Sequence, residues 1–177
     1  MHSHRFWKKS QLTLIAGAFV LAGCNMAPKN ADEFRQATRD GVRLGLASVE
    51  TFEVDRPLRE VSSTLQRKAS ECLNGSVKWS ATNAYGNTRS GVHTYKPTYV
   101  ANAGGKAELH VQRKRSGGGD VDVGAPADGF YDVVVDATPV SPKRTRIDIY
   151  QGDKLMRTAL RGWAMGNNLG CPDLTKR

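Results

Sequence analysis

Histidine, serine and cysteine side chains are the groups that could give this sequence hydrolytic chemistry. A nucleophile needs a base within hydrogen-bond reach and a third group that orients the base. Beyond residue 23 the histidines are His93 and His110, and no Gly-x-Ser-x-Gly elbow accompanies them. His110 lies between Leu109 and Val111, so we expect it to point away from the core. The sequence therefore predicts no catalytic site and no enzymatic activity.

Acidic and glycine residues in segment 117–124 could in principle bind a cation or a phosphate. Asp120 and Asp122 follow three glycines, as at the start of a calcium loop. A third oxygen ligand before the glycine and a glutamate at position 12 are both missing. A phosphate-binding loop would need a Lys-Ser or Lys-Thr pair followed by a helix. We therefore expect a hairpin loop here, with no metal ion and no cofactor.

The first 24 residues indicate a different chemistry, the processing of an exported protein. Residues 1–9 contain three basic residues and no acidic one. Residues 12–22 are almost wholly apolar, which suits a signal peptide but is too short to span a bilayer. Small residues then directly precede a cysteine in Leu21-Ala22-Gly23-Cys24. The segment resembles the lipobox of bacterial prolipoproteins; the alternative is an ordinary secretory signal with a chance cysteine.

This resemblance implies diacylglyceryl transfer to the Cys24 sulfur, cleavage between Gly23 and Cys24, and acylation of the new amino group. Two or three acyl chains anchor a protein stably, each buried CH₂ adding about 0.8 kcal/mol. The mature protein is then attached to membrane lipid without crossing the bilayer. In enteric-type bacteria an aspartate after the cysteine favours the inner membrane. Asn25 at that position therefore implies the periplasmic face of the outer membrane for such a source.

Lipidation of Cys24 would leave Cys72 and Cys171 as a pair in an oxidising compartment. We therefore predict a disulfide bond between them; the alternative is two buried free thiols. The bond would close a loop of about 100 residues and contribute about 4–5 kcal/mol on the loop-entropy model, as an upper figure.

The chain is basic both with and without its first 23 residues. The full sequence has a formal charge of +9, and loss of residues 1–23 removes three of its 26 basic residues and none of its 17 acidic ones, leaving +6. Two clusters are candidates for binding an anionic lipid or glycan surface, the alternative being a solvated surface. They are Arg113, Lys114 and Arg115, and Lys143, Arg144 and Arg146. An exported protein meets little nucleic acid, so we predict no nucleic-acid partner.

Hydrophobic periodicity places helices and strands along the mature chain. Residues 24–47 are predicted to be a lipidated tether, with a modest helix over 31–45, and the folded domain to span 48–177. A strand at 51–54 precedes a helix whose apolar stripe has spacings of 3, 4, 4 and 3. That stripe is Leu58, Val61, Leu65, Ala69 and Cys72, after Pro57 and before Asn74-Gly75. A second helix is predicted from Leu155, Ala159 and Trp163, with Met156, Leu160 and Ala164 beside them.

Alternation of apolar and polar residues predicts the strands between those helices. Their apolar positions are Val77 and Trp79; Tyr95, Pro97 and Tyr99; Ala107, Leu109 and Val111; Tyr131, Val133, Val135 and Ala137; the last strand has Ile147 and Ile149. The order β-α-β-β-β-β-α predicts a single α+β domain, an antiparallel sheet packed on two helices.

This order is similar to the helix-grip arrangement found in two domains of the C subunit of the outer-membrane barrel-assembly machinery, itself a lipoprotein. The similarity concerns element order alone. The function we predict is a non-enzymatic, lipid-anchored envelope protein that acts as a scaffold or assembly partner. The alternative is a binding module that holds a lipid, or another apolar or anionic envelope ligand, in a helix-grip groove.

Overall fold

The computed structural model describes residues 27–101, 105–118, 122, 124–151 and 153–176. A six-stranded antiparallel sheet is combined with helices, so the predicted α+β class is confirmed. The helices are α1 (Ala31–Arg43), α2 (Leu58–Cys72) and α3 (Lys154–Ala164), and a short 3-10 turn follows at Leu174–Lys176. The strands are β1 (Val49–Val54), β2 (Gly75–Thr82), β3 (Thr88–Ala101), β4 (Ala107–Gly117), β5 (Phe130–Ser141) and β6 (Arg144–Gln151).

The strand order in the sheet is β1-β6-β5-β4-β3-β2. Strands β2 to β6 are joined in sequence to their neighbours, and β1 pairs antiparallel with β6. Helix α2 therefore connects the two opposite edges of the sheet. From β1 to α3 the order is β-α-β-β-β-β-β-α, which has one strand more between the helices than the predicted order β-α-β-β-β-β-α. Helices α2 and α3 pack on one face of the sheet, as the helix-grip-like arrangement requires.

One face of the sheet, called here the inner face, carries the main hydrophobic core. Alternate strand residues such as Leu109, Val135 and Ile149 pack there against α2 and α3. The predicted stripe of α2 is buried at its three middle positions, and Trp163 of α3 is fully buried. Alternation and helical periodicity thus identified the residues of this core correctly.

Helix α2 begins directly after Pro57. Pro57 is the N-cap, with no side-chain capping hydrogen bond, and Leu58 is the first helical residue. Proline fits here because it has no N–H for the helix to leave unpaired. At the other end the helix finishes at Cys72, and Gly75 already belongs to β2. The buried stripe therefore reaches the helix end.

A β-bulge separates Tyr131 from the residues with which the sequence pattern grouped it. Val111 pairs with Val133 and Gln112 with Tyr131, so Asp132 is the additional residue in β5. One extra residue reverses the alternation of side chains. Tyr131 consequently packs on the opposite face of the sheet, the outer face, near Phe34.

Helix α1 lies on this outer face, within the segment 24–47 that is predicted as a tether with a modest helix over 31–45. Phe34 packs with Val134 and Tyr150, and Arg35 is buried beneath the helix. The helix is therefore packed against the sheet. An apolar side chain every third or fourth residue was too sparse to indicate this, because the helix is held largely by polar contacts.

Candidate functional site

Cys72 and Cys171 form a disulfide bond, as predicted, with their Cα atoms 5.0 Å apart. The bond joins the end of α2 to the C-terminal segment that crosses α3. Trp163 Nε1 donates to the carbonyl of Leu169 at 3.2 Å in the same segment. Neither cysteine is then a thiolate nucleophile, and the pair instead fixes the tail over the core.

The two basic clusters lie near opposite ends of the strands. Arg113 pairs with Phe130 at the start of β5, whereas Arg144 pairs with Ser141 at its end. Four of the six residues form ion pairs and lose part of their capacity to bind an external anion. These pairs are Arg113–Asp132 at 3.2 Å, Arg115–Asp122 at 3.1 Å, Arg144–Glu53 at 3.1 Å and Arg146–Asp148 at 3.0 Å. Lys114 and Lys143 are exposed.

The two histidines are not brought together. His93 lies between the rings of Trp79 and Tyr95, at centroid distances of 5.7 and 6.4 Å. His110 lies on the outer face, where its Nε2 is 2.9 Å from Glu108 Oε2. As predicted it points away from the main core, but it is only 13% exposed because Glu108 and Tyr131 cover it.

The glycine-rich segment is described in part. Gly119, Asp120, Val121 and Val123 lie outside the described residues, whereas Asp122 accepts hydrogen bonds from the backbone N–H and Nε of Arg115. Within the described ranges, no group of three or more histidine, cysteine, aspartate and glutamate side chains is placed to hold a metal ion.

The lipobox residues 21–24 and Asn25 lie outside the described part of the chain. Among the residues that are described, no helix is both long and apolar enough to cross a bilayer.

A charged cluster beneath α1 is the main feature that the sequence analysis missed. Arg35 Nε donates to Asp136 Oδ2 at 2.9 Å, and its Nη2 donates to Glu108 and Asp136. The Arg35 side chain is 9% exposed. In β4, Glu108 lies between Ala107 and Leu109, and in β5, Asp136 lies between Val135 and Ala137. Both acids point to the outer face. An acidic residue between two apolar ones was the one signal that the sequence offered for them.

Burial and ion pairing shift the pKa values of Arg35 and Asp136 in opposite directions. Burial alone would lower the pKa of Arg35, but hydrogen bonds and attraction from Asp136 and Glu108 raise it above its usual value. For Asp136 burial raises the pKa, and the Arg35 guanidinium only partly offsets this. Arg35 therefore stays charged, and Asp136 holds a proton more readily than an exposed aspartate does.

Beside this cluster the outer face has an open polar depression of about 250 Å³. Arg39 donates from Nη2 to the Tyr150 hydroxyl at 2.8 Å, and Thr51 donates to Asp148 at 2.6 Å. Both acids that line the depression are in ion pairs, Asp136 with Arg35 and Asp148 with Arg146. We interpret the cluster as the attachment of α1 to the sheet.

The space between the sheet and helices α2 and α3 is filled by side chains. Tyr95, Leu109, Met156 and Trp163 are all at most 2% exposed. A second depression, of about 310 Å³, lies at the β2–β3 hairpin, where residues 80–90 are exposed. It is lined by Trp79, Ala81, Thr82, Asn83, Asn87 and Arg89.

Comparison with known proteins gives one structural neighbour to report. No family model matches the chain, and no curated protein sequence is significantly similar to it. A START superfamily protein from Mycobacterium smegmatis has 16% sequence identity and a TM-score of 0.29, and the match covers 68% of this chain and 89% of that one.

Proposed function

We propose that the protein is a lipid-anchored cell-envelope protein that is not an enzyme, attached through Cys24 at the periplasmic face of the outer membrane. Its role there is that of a scaffold or assembly partner. The lipobox-like segment supports the attachment, and Asn25 supports the outer membrane if the source is an enteric-type bacterium.

One structural observation supports this proposal most: the chain enters a firmly attached helix soon after Cys24. Six residues, 25–30, separate Cys24 from the first residue of α1. Six residues reach at most about 20 Å when fully extended. Arg35 and Phe34 then hold α1 on the sheet. A domain attached in this way stays close to the lipid surface and presents a limited set of faces to a partner.

The start of α1 is fixed by local hydrogen bonds. Asn30 Oδ1 accepts from the backbone N–H of Glu33 at 2.8 Å, and Glu33 Oε2 accepts from the backbone N–H of Lys29 at the same distance. This reciprocal pattern satisfies N–H groups that a helix start otherwise leaves unpaired. The Lys29 ammonium also donates to the Gly124 carbonyl, in the loop between β4 and β5. The anchor therefore enters the domain beside this loop.

Basic residues lie at this end of the domain. Lys29 belongs to the segment that leads to the anchor, and Lys114 is exposed where β4 approaches the loop. A lysine close to an anionic lipid surface contributes about 1 kcal/mol to attraction. We propose that these side chains, and not the distant Lys143 and Arg144, face the lipid headgroups.

The alternative function, a groove for an apolar ligand, would require the core side chains around Trp163 to move apart. Each fully buried apolar side chain contributes about 1.5–3 kcal/mol to folding, so opening the groove would be costly. We therefore favour the scaffold and place any ligand site outside the packed core between the sheet and helices α2 and α3.

Fractionation of cells that express the wild-type chain or Cys24→Ala tests the anchor. We expect the wild type in the outer-membrane fraction and Cys24→Ala in the soluble periplasmic fraction. An intact Cys72–Cys171 disulfide in the released protein, detected by non-reducing mass spectrometry, shows that it has folded. Membrane attachment of Cys24→Ala would refute the proposal. The matched variant Asn25→Asp should keep the attachment and move the protein to the inner membrane.

A further inference from the structure

Trp79 lies partly exposed on the inner-face side of the β2–β3 hairpin, beyond the buried core. Val77, two residues earlier on the same face, packs against the core, whereas Ala81, two residues later, is exposed. The tryptophan is therefore the last large side chain on this face before the hairpin end. It forms one wall of the 310 Å³ depression.

Glycines make room for the indole ring. Gly91 is the cross-strand partner of Trp79, and a Cβ there would come within 2.9 Å of the indole Nε1. A Cβ on Gly118 would come within 2.8 Å of Cζ2 and Cη2, and Gly118 also has a φ of +67°. One long edge of the ring thus lies directly against the backbone. Any other residue at these two positions would displace it.

The position of Trp79 is not explained by packing alone. Its Nε1 is buried and has no acceptor among the described residues. The indole N–H is a donor only, and a buried donor without a partner costs about 1–3 kcal/mol in other proteins. An apolar phenylalanine at this position would carry no such donor. Buried polar groups without a partner are rare in native structures, so each one calls for an explanation.

The groups opposite the ring are hydrogen-bonding ones. Thr82, Asn83 and Asn87 line the depression, and Asn83 Oδ1 accepts from the backbone N–H groups of Tyr85 and Asn87. These two bonds hold the turn and use the Asn83 side-chain oxygen, not its amide NH₂ group, so that group remains a potential donor. Arg89 completes the rim with a guanidinium that forms no ion pair within the described residues.

We infer that this depression, Trp79 with Asn83, Asn87 and Arg89, is a binding site for a saccharide that carries a carboxylate or phosphate group. The C–H face of a sugar ring packs on the electron-rich face of an aromatic ring. The hydroxyls at the edge of the sugar accept hydrogen bonds from the side-chain amides and donate hydrogen bonds to them. A planar aromatic ligand would also stack on Trp79, but it would leave those amides unpaired, at a cost in affinity.

Arg89 selects the anionic substituent. A planar guanidinium binds carboxylate or phosphate oxygens through two parallel N–H donors. The site uses residues other than Cys24, so the inference goes beyond the function proposed above and its failure would leave membrane attachment untouched.

Binding is measured by isothermal titration of the full mature chain in detergent with three probes. These are a tetramer of N-acetylglucosamine, a tetramer alternating N-acetylglucosamine with N-acetylmuramic acid, and a glucosamine disaccharide with phosphate groups at both ends. We expect at least one anionic probe to bind more tightly than the neutral tetramer. The preferred anionic probe distinguishes a carboxylate-bearing from a phosphate-bearing ligand. No binding of any probe to the wild type would overturn the inference.

Three variants test the residues. Trp79→Ala should weaken binding at least tenfold, and Trp79→Phe should retain most of it. Arg89→Gln should reduce the preference for the anionic probe about fivefold and leave the neutral tetramer unaffected. Tyr85→Ala is the matched control, because this side chain is 90% exposed in the same hairpin and does not line the depression. Unchanged affinity of Trp79→Ala would contradict the inference. Should that variant misfold, unchanged affinity of Arg89→Gln for the anionic probes would do so.

Discussion

The two faces of the sheet are stabilised by different kinds of interaction. On the inner face, helices α2 and α3 bury aliphatic and aromatic side chains, and the disulfide closes the arrangement. On the outer face, α1 buries only a small apolar group around Phe34 and Tyr150 and relies on the ion pairs of Arg35. Apolar burial is non-directional, whereas a buried charge is tolerated only with its partners in place. The stability of the inner face should thus respond to the loss of buried volume, and that of the outer face to the loss of a charged partner.

The largest effect is expected on the inner face. Trp163→Ala should lower the free energy of unfolding by about 3–5 kcal/mol, since a fully buried aromatic side chain leaves a cavity. The hydrogen bond to the Leu169 carbonyl is lost as well. Urea unfolding followed by circular dichroism measures this. A loss below about 1 kcal/mol would show that Trp163 is not part of the core.

Removal of the disulfide is expected to have the next largest effect. Replacing Cys72 and Cys171 together by serine should cost about 2–5 kcal/mol, because the bond closes a loop with a sequence separation of 99. Unfolding curves of the double variant, and of the wild type with and without reductant, provide the measurement. If reduction leaves the wild-type curve unchanged, the bond does not stabilise the fold.

On the outer face, Arg35→Met should cost about 2–3 kcal/mol, which is below the range for fully buried pairs. The reason is that Glu108 and Asp136 keep 17% and 19% of their side chains exposed. Arg43→Met is the matched control on the same helix. Arg43 is 78% exposed and pairs only with Asp40 at 3.4 Å among the described residues, so its loss should be barely measurable. Equal costs for both variants would mean that the charged cluster does not attach α1.

Asp136 provides a smaller effect that depends on pH. Burial, together with repulsion from Glu108 and Asp148, raises its pKa more than Arg35 lowers it, so the folded chain binds this proton more tightly than the unfolded chain does. The groups that face it are Arg35 on α1, Glu108 on β4 and Asp148 on β6. Between the unfolded pKa and the raised folded pKa, the native state is stabilised as the pH falls. Relative to Asp136→Asn, the wild type should gain stability from about pH 7 to pH 4; a loss over this interval would reverse the sign.

The sequence predicted the inner face well because the type and spacing of each residue there indicate whether it is buried. Alternation marked Leu109 and Ile149, and the 3-4-4-3 spacing marked Val61 and Leu65, without knowledge of what they contact. The pairing of Cys72 with Cys171 followed from an even number of cysteines once Cys24 had a separate role. These are local patterns or simple counts.

The outer face could not be predicted in this way, because its contacts join distant positions. Arg35 is 101 residues from Asp136 and 73 from Glu108. No periodicity indicates which of 17 acidic residues will face a given arginine. The bulge that turns Tyr131 outward is likewise a property of two strands together. The setting of Trp79 depends on Gly91 and Gly118, which approach it only in the folded sheet.

The smallest effect concerns the ion pair at the edge of the sheet, between Arg144 of β6 and Glu53 of β1. Arg144 Nε is 3.1 Å from Glu53 Oε2, and the two side chains are 49% and 46% exposed. Water and salt screen such a pair, so Arg144→Gln should change stability by less than about 1 kcal/mol. Urea unfolding at low and high salt measures it beside Arg35→Met. Equal losses of stability in Arg144→Gln and Arg35→Met would mean that ion pairing itself, and not burial of the pair under α1, distinguishes the outer face from the inner face.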